Sequence, residues 1–214
     1  MANELWDLRM HYAGADLDVA TVHPDPIAQF QIWFDAAVAT GMPDPNAMTL
    51  ATIDPDGRPS ARVVLLKGVD ARGFVFFTNY TSRKAAALAA HPWASLVFYW
   101  GPLHRQVRVE GRVEPVPSDE SDAYFASRPR ASNLGAMSSP QSQPVADRAE
   151  LEARVAATTA AWDGKALVRP STWGGYLVVP DAIELWQGQV DRLHDRVLYA
   201  RGAGGSWTRG RLAP

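Results

Sequence analysis

The sequence predicts a mainly β fold, a β-barrel with helices on its outside, and three observations carry that expectation. Short runs rich in β-branched and aromatic residues recur along the chain, and turn signals such as Asp54-Pro55-Asp56-Gly57 separate them. Helical segments interrupt the runs without replacing them. A length of 214 residues with 47% apolar content suffices for one hydrophobic core or two small ones and excludes intrinsic disorder.

The elements follow in order. Asp25-Pro26 opens a helix as N-cap and first-turn proline, the apolar residues Ile27, Phe30, Phe34 and Val38 follow, and Gly41 ends it. Met48 to Ile53, Ala61 to Lys67, Phe74 to Asn79, Ala94 to Trp100 and Gln106 to Glu114 read as an antiparallel meander. Helices are expected at about Ser82 to Ala90, Ser118 to Ser127 and Asp147 to Ala161, and further strands at Gly174 to Val179, Ala182 to Trp186, Arg192 to Tyr199 and Ser206 to Arg211. The strands of the last third complete the same sheet, and Ser138 to Pro144 is a loop too short to be a linker. An N-terminal segment, 1–20, followed by one domain, 21–214, is the expected organisation.

No apolar run approaches the roughly 18 residues of a membrane span, and Met1 to Asp7 lacks a basic region followed by a hydrophobic one, so a soluble, cytoplasmic protein with no membrane partner is expected. A formal net charge of -2 lacks the positive excess of a nucleic-acid binder. With no cysteine there is no disulfide, thiolate nucleophile or Cys-bound zinc, and no metal site is read from the chain. Catalysis falls to His, Arg, Lys, Tyr, carboxylates or a borrowed cofactor. Of the 21 basic residues all but Lys67, Lys84 and Lys165 are Arg, which suits planar contacts to phosphate or carboxylate, although an Arg-rich proteome would give the same count.

Four clusters could carry chemistry. In Arg62-Val-Val-Leu-Leu-Lys67 a strand has a cation near each end, on opposite faces by alternation; a core strand with solvated ends would read the same. In Thr78-Asn-Tyr-Thr-Ser-Arg83-Lys84 two cations enter a first helical turn against the helix dipole, which an anion there would offset. In Tyr124-Phe-Ala-Ser-Arg128-Pro-Arg130-Ala-Ser132, Tyr124 and Arg128 share a helix face with Ser132 just beyond, fitting a second phosphate or ordinary dipole complementation. In Arg192-Leu-His194-Asp-Arg196, strand alternation puts Arg192, His194 and Arg196 on one face, with Asp191 and Asp195 turned away. With Gln106, Gln141, Ser142 and Trp186, these clusters suggest two phosphorylated ligands, one with a flat ring near an indole. No Walker loop or GxGxxG is present, so side chains must hold the phosphates.

The arrangement resembles the pyridoxine (pyridoxamine) 5'-phosphate oxidases, FMN enzymes that make pyridoxal 5'-phosphate. The likeness is carried by RVVLLK (62–67), FFTNYTSRK (76–84), RQV (105–107), YFASRPRASNLGAMSSPQS (124–142), WGGY (173–176), ELWQG (184–188), RLHDR (192–196) and the terminal RLAP. It implies an FMN-binding split β-barrel, a homodimer with FMN in the clefts between subunits. The resemblance assigns FMN to Arg62, Val63, Val64, Leu65, Leu66, Lys67, Phe77, Thr78, Arg83, Lys84, Gln106, Gln141, Ser142, Trp186 and Arg196. It assigns the substrate phosphate to Lys67, Tyr124, Arg128 and Ser132, and the substrate ring to Arg192, Leu193 and His194, with Arg192 and His194 as orienting and electrostatic groups of the catalytic centre. Arg9 and Tyr12 would close over the substrate as a lid; residues 9–12 read RMHY, without the arginine expected at the second position, and Phe77 stands where tyrosine is common. The implied reaction is hydride transfer from C4′ of pyridoxine or pyridoxamine 5'-phosphate to FMN, with O2 reoxidising the flavin and H2O2 leaving. Two alternatives stand beside it: a related split-barrel oxidase of another aromatic metabolite, of phenazine type, and a non-catalytic carrier of FMN or pyridoxal phosphate.

Overall fold

The computed structural model describes Tyr12 and residues 14–214. Helix α1 (Pro26–Ala39) begins where the sequence places it: the Asp25 side chain accepts from the Ile27 N–H and Pro26 occupies the first turn. Its buried face is Pro26, Gln29, Phe30, Trp33 and Ala37, whereas Val38, expected on that face, is exposed. Trp33 supplies the larger apolar surface and rotates the stripe by one position.

The remaining elements are β1 (Ala47–Ile53), β2 (Pro59–Leu65), β3 (Gly68–Asp70), β4 (Gly73–Asn79), α2 (Arg83–Ala90), β5 (Trp93–Trp100), β6 (Arg105–Pro115), α3 (Ser118–Ser127), α4 (Arg130–Ser138), α5 (Arg148–Ala161), β7 (Trp173–Gln187), β8 (Asp195–Arg201) and β9 (Trp207–Leu212). Strand neighbours run β2-β1-β5-β6-β7-β4-β3, with β8 beside β7 and β9 beside β8. This is not the simple meander expected, because β4 pairs with β7 and not with β5. The two strands expected at 174–179 and 182–186 are one. β7 runs through Pro180, which falls between its register with β4 (173–178) and its register with β8 (182–187), where a missing N–H breaks neither ladder. α4 was not expected, since Pro129 reads as a stop; it ends α3 and then stands as the N-cap residue of α4.

The chain divides into two compact units. One comprises Met1–Leu50, Ser95–Gly111 and Pro180–Pro214. Its core holds Phe30, Leu50, Leu96, Phe98, Val107, Val109, Ile183, Leu185, Val197 and Tyr199, all fully buried, and the Tyr199 hydroxyl donates to the His23 carbonyl at 2.8 Å. The other comprises Ala51–Ala94 and Arg112–Val179. There Phe74, Phe76, Ala87 and Val178 are fully buried, and Val75, Val116 and Leu177 form a cluster covered by Phe77 and Val179. Among the described residues no helix is long and apolar enough to cross a membrane.

Candidate active site

The second unit contains a cavity of about 490 Å³, within the roughly 300–1,000 Å³ of small-molecule sites. Arg62, Val63, Val64 and Leu65 of β2, then Lys67, form one wall; Phe77 and Thr78 of β4, Lys84 of α2 and Trp173 of β7 contribute; Tyr124, Arg128, Ser132 and Gln141 complete it with Gly135, Ala136 and Ser139. Alternation would have put Arg62 and Lys67 on opposite faces. β2 stops at Leu65, Leu66 turns into the core, and the Lys67 N–H donates to the Val75 carbonyl at 2.8 Å, so both cations line the same cavity.

At one end, a single amide oxygen organises the donors. Gln141 Oε1 accepts from Thr78 Oγ1 at 2.9 Å, from the Asn79 N–H at 3.3 Å and from Lys84 Nζ at 3.3 Å, and Lys84 also donates to Thr78 Oγ1 at 3.2 Å. Among the described residues Lys84 has no carboxylate partner, and burial, with the Arg62 charge as the lesser cause, pushes its ammonium below the ordinary lysine range. Arg62 donates to Thr52 Oγ1 at 2.8 Å and Ser60 Oγ at 2.7 Å, and burial lowers its pKa against the attraction of Asp54. Two half-buried cations beside hydroxyls and an amide form a site suited to an anion such as a phosphate. Arg83 does not line the cavity. It is bound to the buried carboxylate of Asp54 through Nε at 3.1 Å and through Nη2.

At the other end, Phe77 stacks on Tyr124 with centroids 4.0 Å apart and on Trp173 at 5.5 Å, while the Arg128 guanidinium lies 4.7 Å over the Trp173 ring. The missing Phe77 hydroxyl costs nothing to a stack made through ring faces. Arg128 caps α3; its Nη1 donates to Asn133 Oδ1 at 2.9 Å and its Nη2 to the Ser132 carbonyl at 3.3 Å. Burial raises the Tyr124 phenol, with Arg128 opposing, and lowers Arg128. Trp173 and Asn133 were missed as site residues, although WGGY and the SRPRASN run contain them.

The expected site residues of the first unit lie outside this cavity. Tyr12, Trp186 and His194 pack as a ring cluster, with Trp186 and His194 4.7 Å apart, Tyr12 and His194 5.6 Å apart, and His104 edge-on to Tyr12 at 4.8 Å. His194 Nδ1 accepts from the Gln189 N–H at 3.0 Å, which leaves Nε2 as the ring's other functional atom. Arg192 and His194 are not on a strand: Val190–Arg192 form a 3-10 turn, Asp191 and Arg192 have φ of 56° and 62°, and β8 starts only at Asp195. Leu193 is 71% exposed. Arg196, assigned to FMN by the resemblance, forms a two-pronged pair with buried Glu184 at 2.8 and 3.1 Å. Asp195 is engaged by Arg211 and by Gln189 at 2.9 Å. Gln106 is half-buried on β6, and exposed Ser142 follows Gln141 with a φ of 71°. Arg9 lies outside the described residues.

Comparison with known proteins adds to this geometry. Residues 34–162 match the pyridoxamine 5'-phosphate oxidase family, and residues 173–214 match the pyridoxine 5'-phosphate oxidase C-terminal dimerisation region. Over 212 residues the chain is 59% identical to the pyridoxine/pyridoxamine 5'-phosphate oxidase of Burkholderia ambifaria, covering 98% of this chain and 99% of that protein. The protein of the same name from Paraburkholderia phymatum is 55% identical over 210 residues, at 98% and 99% coverage. Among solved structures, PhzG from Burkholderia lata 383, in complex with tetrahydrophenazine-1-carboxylic acid, is 33% identical with a TM-score of 0.87, covering 94% of this chain and 99% of that one. A pyridoxamine 5'-phosphate oxidase-related, FMN binding protein from Nostoc punctiforme shares the fold at 18% identity and a TM-score of 0.72, over 90% of this chain and 100% of the other.

Proposed function

This chain belongs to the pyridoxamine 5'-phosphate oxidase family, and from that premise we propose that it is an FMN-dependent oxidase converting pyridoxine or pyridoxamine 5'-phosphate to pyridoxal 5'-phosphate, with O2 as electron acceptor and H2O2 as product. Its mainly β fold with peripheral helices is the split β-barrel of that family. The reading rests above all on one observation: Tyr124, Arg128, Ser132 and Lys67 line the same cavity as Arg62, Thr78, Lys84 and Gln141. Two cationic groups around one space suit two phosphorylated partners.

Arg62, Thr78, Lys84 and Gln141 hold the cofactor phosphate and its polar chain, and the residues of β2 pass along it. Lys67, Tyr124, Arg128 and Ser132 hold the substrate phosphate, which fixes the reacting carbon at near-attack distance. The chemistry FMN supplies when bound is acceptance of a hydride from C4′ and delivery of the electrons to O2. Arg192 and His194 orient the substrate ring, and Arg192 places positive charge near it. The functional unit is a homodimer, a reading supported by the match of residues 173–214 to a dimerisation region. Purified protein is expected to be yellow, with about one FMN per chain, and dimeric by light scattering; a colourless monomer that fails to take up added FMN overturns the proposal.

A second reading is favoured by the likeness to PhzG: an oxidase of a carboxylated aromatic metabolite, with Arg128 on the carboxylate. Oxygen consumption decides between them. Turnover of pyridoxine 5'-phosphate supports the first, turnover of tetrahydrophenazine-1-carboxylic acid alone supports the second, and flavin binding with neither identifies a carrier.

A further inference from the structure

We infer that Asn133 is a positioning residue: it fixes the Arg128 guanidinium for a phosphate in the cavity and thereby sets the preference for phosphorylated over unphosphorylated ligands. The inference rests on the reading of Arg128 as the substrate-phosphate group. Asn133 sits in the first turn of α4 and is 4% exposed. Its Nδ2 donates to the Phe125 carbonyl at 2.8 Å, near the end of α3. That bond fixes which end of the amide is which, so the atom turned to Arg128 is the acceptor Oδ1, 2.9 Å from Nη1. The Ser132 carbonyl takes Nη2 and the Trp173 face supports the guanidinium plane. A long, flexible side chain is thus held on three sides before any ligand arrives, which reduces the ordering cost of binding.

The chemical identity of the acceptor matters as much as its position. A carboxylate at 133 would hold Arg128 as firmly and would cancel its charge, as Glu184 does for Arg196. An amide holds the guanidinium and leaves its charge for the ligand. The contact is also local, spanning the α3–α4 junction within one unit, so it is present whatever the chain binds.

The test uses the FMN-loaded enzyme. KM and kcat are measured with pyridoxine 5'-phosphate, and binding of the unreactive 4-deoxypyridoxine, with and without its phosphate, is followed by flavin absorbance. Asn133→Ala is expected to raise KM about tenfold with kcat within about twofold, to weaken the phosphorylated analogue by the same factor and to leave the unphosphorylated one unchanged. In an Arg128→Ala background it should add nothing, because it acts through Arg128. Asn133→Gln, which keeps both amide functions, should restore KM to within about threefold. If Asn133→Ala does not fold, Asn133→Ser, whose hydroxyl can still donate toward Phe125, should show the same loss. An unchanged KM, equal loss for both analogues, or full additivity with Arg128→Ala overturns the inference. If Arg128→Ala itself leaves KM unchanged, the reading of Arg128 fails and the role of Asn133 fails with it.

Discussion

Around Glu184 and Asp195 of the first unit, and around the cavity of the second, positive charges are held in opposite ways. In the first, guanidinium groups end on carboxylates: Arg196 and Arg108 on buried Glu184, and Arg211 on Asp18 and Asp195. Around the cavity of the second, Lys84 ends on a hydroxyl and an amide, and Arg128 on an amide, a carbonyl and an indole face. A charge whose partner is a carboxylate is structural, since removing either member strands the other. A half-buried charge among neutral acceptors costs the apo protein and is repaid by an anion. Where the arginines end therefore says more about function than how many there are.

The largest expected effect is on the structural side. Glu184→Gln leaves two guanidinium groups facing a neutral amide in a buried position and should lower unfolding free energy by about 3 kcal/mol in a urea titration; a loss too small to measure would mean the pair is not structural. Next comes the cavity: Arg128→Ala should raise KM for pyridoxine 5'-phosphate roughly ten- to hundredfold and leave flavin content unchanged. Stripping of the flavin by that change would instead place Arg128 in the cofactor site.

Lys84→Ala should weaken FMN about tenfold at low salt and less at high salt, because screening already removes part of the charge attraction. The pH dependence has a definite sign. Burial and Arg62 disfavour the Lys84 ammonium, so its pKa lies below 10.5, and FMN affinity should fall as pH rises through that lowered value and the cation is lost. Titration of FMN fluorescence quenching from neutral to alkaline pH checks this, and Lys84→Ala should flatten the slope. The smallest effect is expected at the ring cluster: His194→Asn retains an acceptor for the Gln189 N–H and should reduce kcat severalfold while preserving the shape of its pH profile. A lost limb of the profile would make the imidazole a proton carrier.

Most of the frame was legible because its signals are local. The Asp25-Pro26 cap, the β-branched run of β1 and the start of α2 near Ser82 each depend on neighbours in sequence. Candidate groups of the cavity were legible too, since RVVLLK, TSRK and YFASR each bring their chemistry as a block, although the convergence of Arg62 and Lys67 on it was not. What escaped is long-range or conformational. No pattern in RLHDR announces that Asp191 and Arg192 take positive φ, which ends the apparent alternation before it reaches His194. Nor does any local signal pair Arg196 with Glu184, because β7 and β8 meet only through their register. Lys67 joined Arg62 at the cavity for a similar reason: the strand ends two residues early and the parity of the count is lost.

Val63 is 66% exposed although it lines the cavity wall on β2. In a chain without a single cysteine, Val63→Cys would create one unique thiol at the rim of the binding space. It could carry one covalent fluorophore or spin label with no competing attachment point, and its signal would follow the filling and emptying of the cavity in real time.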